Sequence, residues 1–391
     1  MSQASRRIVL LALAAFASAA SFRVCDPMLP GLAELFATTA GQAAHVITAF
    51  VVTYGVMQMI YGPLGERFDR FRLITLATAC CALGSLGAAL APSLGVLTLC
   101  RVITGVSAAG IIPMSMAWIA DSVAADERQA TLARFFSGQI LGMVFGQVLG
   151  GICVDTVGWR WAFAILALIY LGIGAALWRG GAGQGATAAA SRRSITSLYG
   201  QAARMVVDPA CRGILADLCV EAAAVFAVLA FIPLYLHQHF GRPLSEASLT
   251  LMLYGAGGLA YSFYAARRGS RLNRPRYPLL AGGLIAVADL MLLLANHPAW
   301  AFAAALLSGF GYYMLHNGLL FQVTQMAPAA RSLAMAVAIS LFFVGQSIGV
   351  ALAGLLVDAG ATAWVFGGAA LLVPWVGFSA SRRIRRLAPA P

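Results

Sequence analysis

Gly62-Pro63-Leu64-Gly65-Glu66-Arg67-Phe68-Asp69-Arg70-Phe71-Arg72 separates two apolar runs, at about 44–65 and 73–92. Five of these eleven residues are ionisable, in a chain of 391 residues where charged side chains make up 10% and hydrophobic ones 61%. Water-soluble domains carry roughly 25% charged residues. Each flanking run is about 20 residues, which as a helix spans the ~30 Å hydrocarbon layer of a bilayer. Charge confined to a short turn between two such runs marks a chain that crosses a membrane, turns in water and crosses back. Lipid offers the backbone no hydrogen bonds, so the runs must be helices.

The same pattern extends in both directions. Apolar runs place helices at about 8–30, 44–65, 73–92, 95–120, 131–154 and 161–178, then at 210–236, 245–267, 277–295, 299–326, 331–357 and 362–380. The reading is an all-α membrane protein of about twelve transmembrane helices. It divides into a six-helix half over 1–178, a linker over 179–209 and a second six-helix half over 210–391. The linker opens Gly- and Ala-rich and continues through Arg192, Arg193 and Arg204, the composition of a flexible connector with an amphipathic surface helix. Arg6 and Arg7 before an apolar run ending in Ala17-Ser18-Ala19 resemble a signal peptide. Its removal would leave an odd number of spans, so the stretch is read as the first helix.

All 26 basic residues are Arg, and the net charge is +12. That charge does not point to nucleic acid, because the arginines fall in short clusters between apolar runs. With the N-terminus inside, 22 lie on the cytoplasmic side, Arg160 and Arg242 lie outside, and Arg23 and Arg101 fall within helices. So strong an asymmetry predicts a multi-pass protein of the bacterial-type inner (plasma) membrane with both termini cytoplasmic. The seven cysteines show no metal-ligand spacing and read as core residues. No metal, no nucleotide motif and no nucleophile elbow is expected, which excludes the common enzyme classes.

An internal repeat joins the halves. Helix 5 contains Phe135-Phe136-Ser137-Gly138-Gln139 and then Gly142; helix 11 contains Phe342-Phe343-Val344-Gly345-Gln346 and then Gly349. Each is preceded by an Arg (Arg128, Arg331) and ends at an Asp (Asp155, Asp358). Helices six apart that share a pattern predict two parallel halves, the construction of transporters that rock one repeat against the other.

Three motifs give a family resemblance over nearly the whole chain. The 62–72 turn resembles the GxLxDRxGRR signature of the major facilitator superfamily, with Glu66 in place of Asp and Asp69 in place of Gly. Arg101 to Ala109 resembles its RxxxGxxxA motif. Gly138, Gly142, Gly146, Gly150 and Gly151 resemble the antiporter-associated fifth helix, except that Gln147 stands where Pro normally follows the third Gly. Gly158-Trp159-Arg160-Trp161 and His316-Asn317 also resemble the drug:H⁺ antiporter and sugar-efflux branch. The resemblance implies proton-coupled export of a small molecule, a drug or metabolite, by alternating access. It implies a cytoplasmic gate of Gly62, Glu66, Arg67, Asp69 and Arg70, with Asp121 as partner for Arg67 or Arg70. The energy source would be the proton gradient, with no cofactor, and the expected state is a monomer in the bilayer.

Charges inside membrane helices are costly, and each needs a partner or water. At 1.5 Å per residue, Arg101 and Asp26 lie about 28 and 27 Å from the inner ends of their helices. The shared depth predicts an Asp26–Arg101 ion pair, with Arg23, one turn from Asp26, as the rival. Asp217 and Glu221 are four apart on helix 7 and share a face. Glu221 and His316 lie about 17 and 15 Å from the inner ends of helices 7 and 10. An acid and an imidazole at one level form a candidate proton site. Glu221, Asp217, His316 and Asp26 are therefore the coupling candidates. Arg101, Arg23, Gln58, Gln139, Tyr254, Tyr261, Tyr312, Asn317, Gln322 and Gln346 are candidate cavity residues, although the Gln and Tyr side chains among them are more often packing residues than substrate contacts. Asp289 in helix 9 has no assigned role. A proton-linked importer of a metabolite or organic anion fits the same residues, and a non-transporting membrane sensor or scaffold is the remote alternative.

Overall fold

A computed structural model describes residues 3–181, 195–268, 274–327 and 331–387. Among these residues the regular structure is entirely helical, and it forms two compact units. The first unit holds residues 1–38 and 45–195, the second 39–44 and 196–391.

In the first unit the helices are α1 (Gln3–Arg23), α2 (Leu29–Leu35), α4 (His45–Arg67), α5 (Arg70–Ala89), α6 (Leu94–Ala108), α7 (Ile111–Ser122), α8 (Ala125–Asp155) and α9 (Trp159–Gly181). Two predicted spans are broken. The first is interrupted after Arg23, where a short 3₁₀ turn, Asp26–Met28, precedes α2. Pro27 and Pro30 each remove an amide donor there, so the helix cannot run straight through. The fourth breaks at Ala109–Gly110, and Gln58 Nε2 donates to the freed Ala109 carbonyl at 3.2 Å. The turn between α8 and α9 is tight. Gly158, with φ of 95°, turns the chain between α8 and α9, and Arg160 Nη2 donates to the Ala91 carbonyl at 3.0 Å.

The second unit holds α3 (Ala40–Ala43), α10 (Ile195–Val207), α11 (Pro209–Phe240), α12 (Leu244–Arg268), α13 (Arg276–Leu293), α14 (Ala299–Met326), α15 (Arg331–Asp358) and α16 (Thr362–Leu387). The predicted linker helix is α10; residues 182–194 of the linker lie outside the described residues. Thr39 Oγ1 and the Gly41 amide donate to the Asp358 carboxylate at 2.6 and 2.8 Å, which caps α3 from the end of α15. Between α11 and α12 the turn is Gly241-Arg242-Pro243, with Gly241 at φ of 62° and His237 Nδ1 donating to the Arg242 carbonyl at 2.9 Å.

Packing inside each unit follows one plan. In the first, α1 lies along α8, α5 along α9, and α4 and α5 against α6. In the second, α11 lies along α15, α13 along α16, and α12 and α13 against α14. The repeat extends to single contacts. A Cβ on Gly138 or Gly142 would meet the backbone of Ala12 or Phe16; on Gly345 or Gly349 it would meet that of Cys219 or Ala223. All four positions of the second set lie 207 residues after those of the first. Glycine is required at Gly142 and Gly349 because the facing backbone occupies the space of any side chain.

Ten helical stretches among the described residues are long and apolar enough to cross a membrane. The two other long helices, α12 and α14, have 25 and 28 residues, enough to span, but polar side chains dilute their hydropathy. Those side chains include Tyr254, Tyr261, His316, Asn317 and Gln322.

Candidate functional site

Two buried carboxylates of the second unit, Asp217 and Glu221, share one face of α11. Glu221 is fully buried, and its Oε2 lies 2.9 Å from His316 Nδ1 on α14. Glu221 Oε1 is buried with no hydrogen-bond partner among the described residues. The imidazole stacks on Tyr312, with ring centroids 5.1 Å apart, and tilts against Phe342 at 4.8 Å. Phe226 closes on both Tyr312 and Phe342 at 5.8 and 5.6 Å. This aromatic wall fixes the ring plane and aims Nδ1 at the carboxylate. Asp217, one turn away, does not turn toward Glu221's partner. It pairs with Arg383 of α16.

The other candidates in this unit extend from this wall or lie apart from it. Tyr254 packs on Tyr312 at 5.7 Å, and Tyr261 packs on Phe310 at 5.7 Å. Asn317 donates to the Tyr313 carbonyl of its own helix at 2.8 Å. Gln346 is buried on α15, and its Oε1 lacks a partner among the described residues. Asp289, buried on α13, likewise leaves Oδ2 unpartnered.

In the first unit the predicted Asp26–Arg101 pair is not formed. Asp26 Oδ2 lies 3.3 Å from Arg23 Nη1, and Gln147 on α8 also hydrogen-bonds the Asp26 side chain. The break after α1 explains the exchange. It ends the helix, so the Ser21 carbonyl loses its intrahelical donor, while Arg23, three residues before Asp26, stays beside it. Arg101 Nη1 takes that carbonyl at 2.8 Å and the Ser21 hydroxyl at 3.2 Å. Arg101 Nε reaches the Val46 carbonyl at 3.4 Å, and the guanidinium lies over the Phe50 ring at 4.1 Å. Both arginines are buried. Gln139 is half-buried on α8.

At the 62–72 turn, Arg70 donates Nε to the Gly65 carbonyl at 2.9 Å and forms an ion pair with Asp121. Of the two predicted partners for Asp121, Arg70 is therefore the one engaged; Arg67 is exposed. Asp69, at the position where the signature has Gly, caps α5 by accepting from the Arg72 amide at 3.0 Å. The surroundings of Gly62 and the side chain of Glu66 lie outside the described residues.

A family model described as the Major Facilitator Superfamily matches residues 11–332 and 218–380. The chain belongs to that superfamily. Among curated relatives, Uncharacterized transporter YgaY of Escherichia coli O157:H7 is 30% identical over 176 residues, 44% of this chain and 44% of its own length. Multidrug export protein EmrB of Haemophilus influenzae is 29% identical over 43% of this chain and 33% of its own. These two matches span less than half of either relative. A longer match is the "Probable sugar efflux transporter" of Pasteurella multocida, 24% identical over 88% of this chain and 83% of its own. Among solved structures, a bacterial homolog of the human lysosomal transporter Spinster aligns with TM-score 0.77 at 15% identity, covering 99% of both chains. The peptide transporter POT aligns with TM-score 0.77 at 16% identity, over 98% of this chain and 96% of its own. These solved structures share the fold, and the relatives named above are transporters or exporters, not enzymes.

The motif reading found Glu221, Asp217 and His316 but missed Arg383 and Gln147. Arg383 had a signal. Val373, Val376 and Ala380 are fully buried on α16, and Arg383 continues that stripe by three residues, whereas Arg382, Arg385 and Arg386 fall on exposed faces.

Proposed function

We propose that this superfamily member is a proton-coupled secondary transporter that exports a small molecule, a drug or metabolite, by alternating access. It works from the inner membrane as a monomer, with both termini cytoplasmic and the proton gradient in place of any cofactor. The observation that carries the reading is the Glu221–His316 pair. A carboxylate sealed from solvent is tolerated in a membrane protein only with a strong functional or structural partner. Here the partner is an imidazole, a side chain able to carry a proton. One proton can be shared across the 2.9 Å contact between carboxylate and imidazole: with it the pair is neutral overall, and without it the pair carries the single negative charge of the carboxylate. The efflux names of the relatives support the outward direction.

The test uses purified protein in proteoliposomes. Glu221→Gln should abolish uphill, pH-driven accumulation while leaving downhill substrate exchange largely intact. A Glu221→Gln protein that still concentrates substrate moves the coupling role elsewhere, with Asp26 next in line. Direction is read from whole-cell accumulation against a deletion strain: lower accumulation with the protein present supports export, and higher accumulation replaces it with import.

A further inference from the structure

The polar column on α11 has a closing member that the proton pair does not account for. Gly213, Asp217 and Glu221 recur every four residues and so share one helix face. Glu221 meets His316 from α14, and Asp217 meets Arg383 from α16. The Arg383 guanidinium is held on every edge. Nε donates to Gln322 Oε1 on α14 at 3.3 Å, Nη1 donates to Ser379 Oγ at 3.2 Å, and Nη2 donates to Asp217. One side chain thereby ties three helices of the unit together. Gly213 makes room for it, since a Cβ there would lie 3.1 Å from Arg383 Nη1. The charged groups acting on Asp217 and Glu221 are Arg383, His316 and Asp217 itself on Glu221; α12 and α15, also packed on α11, bring no described charged side chain to either. Gln322 Nε2 is buried without a protein partner among the described residues, a donor that water can satisfy.

Exposure gives the column a direction. The Asp217 side chain is 2% exposed and that of Arg383 is 21% exposed. The guanidinium is thus the outermost charged group of the column, at the helix ends that carry the arginine clusters. We infer that Arg383 is the inner gate on proton access to Glu221. Paired with Asp217, it stands between the fully buried Glu221 carboxylate and the cytoplasmic water on that side; the His316 side chain, 17% exposed, is the other edge of the pair. A proton arriving on Asp217 neutralises the carboxylate and releases the guanidinium. Asp217 then passes the proton one turn along α11 to Glu221, regains its charge and recaptures Arg383. Arg383 is a positioning residue in this scheme: it touches neither substrate nor the Glu221 carboxylate. The inference rests on Glu221 as proton carrier, and the experiment separates the two.

The full chain is reconstituted with a pH-reporting dye inside the vesicles, and a pH step is imposed without substrate. Arg383→Gln should raise substrate-independent proton flux about tenfold, the effect of removing a barrier of about 1.4 kcal/mol, and should shift the pH profile of transport. Arg383→Lys, which keeps the charge, should restore much of the barrier. Arg383→Gln combined with Glu221→Gln should return the flux to the wild-type level. If Arg383→Gln does not fold, Gly213→Val provides the second route, because it crowds the guanidinium while keeping both charges. Unchanged flux and pH profile in the folded gate variants overturn the gate. So does a leak that persists without Glu221. If Glu221→Gln loses uphill transport while the gate variants stay tight, the gate alone fails; if Glu221→Gln retains uphill transport, the carrier reading fails and the gate with it.

Discussion

At the scale of single residues, the first unit shows how a helix break chooses between two buried arginines. Arg23 and Arg101 both lay within reach of Asp26 by depth, and depth is all that rise per residue supplies. Which one pairs depends on rotation about the helix axis and on the interruption near Pro27, neither of which hydropathy encodes. Once α1 ends, an orphan carbonyl competes for Arg101, and Asp26 is left to Arg23 and Gln147. Asp26→Asn should therefore destabilise the purified protein by about 3–5 kcal/mol, because it leaves Arg23 buried without its counter-charge. The double variant Asp26→Asn with Arg23→Gln should lose less than the sum of the single losses, while Asp26→Asn with Arg101→Gln should be nearly additive. Thermal unfolding of the singles and doubles measures both cycles. Additivity in the first cycle, or strong coupling in the second, would return the pair to Arg101. Glu221 and His316 were legible for the opposite reason: equal depth on two helices that pack together left few other partners.

Helices were the most legible level. Runs of about 20 apolar residues determine spans because lipid permits no alternative to the helix. The Gly138–Gly142 and Gly345–Gly349 patterns marked two related helices, and the structure seats them against α1 and α11. What the runs did not reveal were the breaks after Arg23 and Ala109, which are set by proline positions and by side chains that take up freed carbonyls. At the seams, Gly142→Val or Gly349→Val drives a side chain into facing backbone and should cost about 1–3 kcal/mol each through overpacking. Gly172→Ala on α9, where nothing lies within 4 Å, should be neutral or slightly stabilising. Thermal shift on the purified variants checks the contrast, and equal losses at all three positions would show that the seams are not the constraint.

For the whole molecule, the 207-residue periodicity and the arginine asymmetry come from different physics and support one design. The first reflects helix packing repeated in each unit; the second reflects the side on which positive loops are retained. Reporter fusions at Pro391 and Gln201 should be active only in the cytoplasm, and periplasmic activity at either would invert the proposed orientation. The short turns at Gly158 and Gly241 have a further consequence. Trypsin finds no lysine anywhere in this chain. Of the two arginines assigned to the outer side, Arg160 lies in the first turn of α9 with its guanidinium tied to Ala91, and Arg242 is followed by Pro243, whose ring blocks cleavage. A protease working from that side stalls on the intact fold, while one working from the other side meets exposed arginines at once, so digestion itself reports which way a vesicle has sealed.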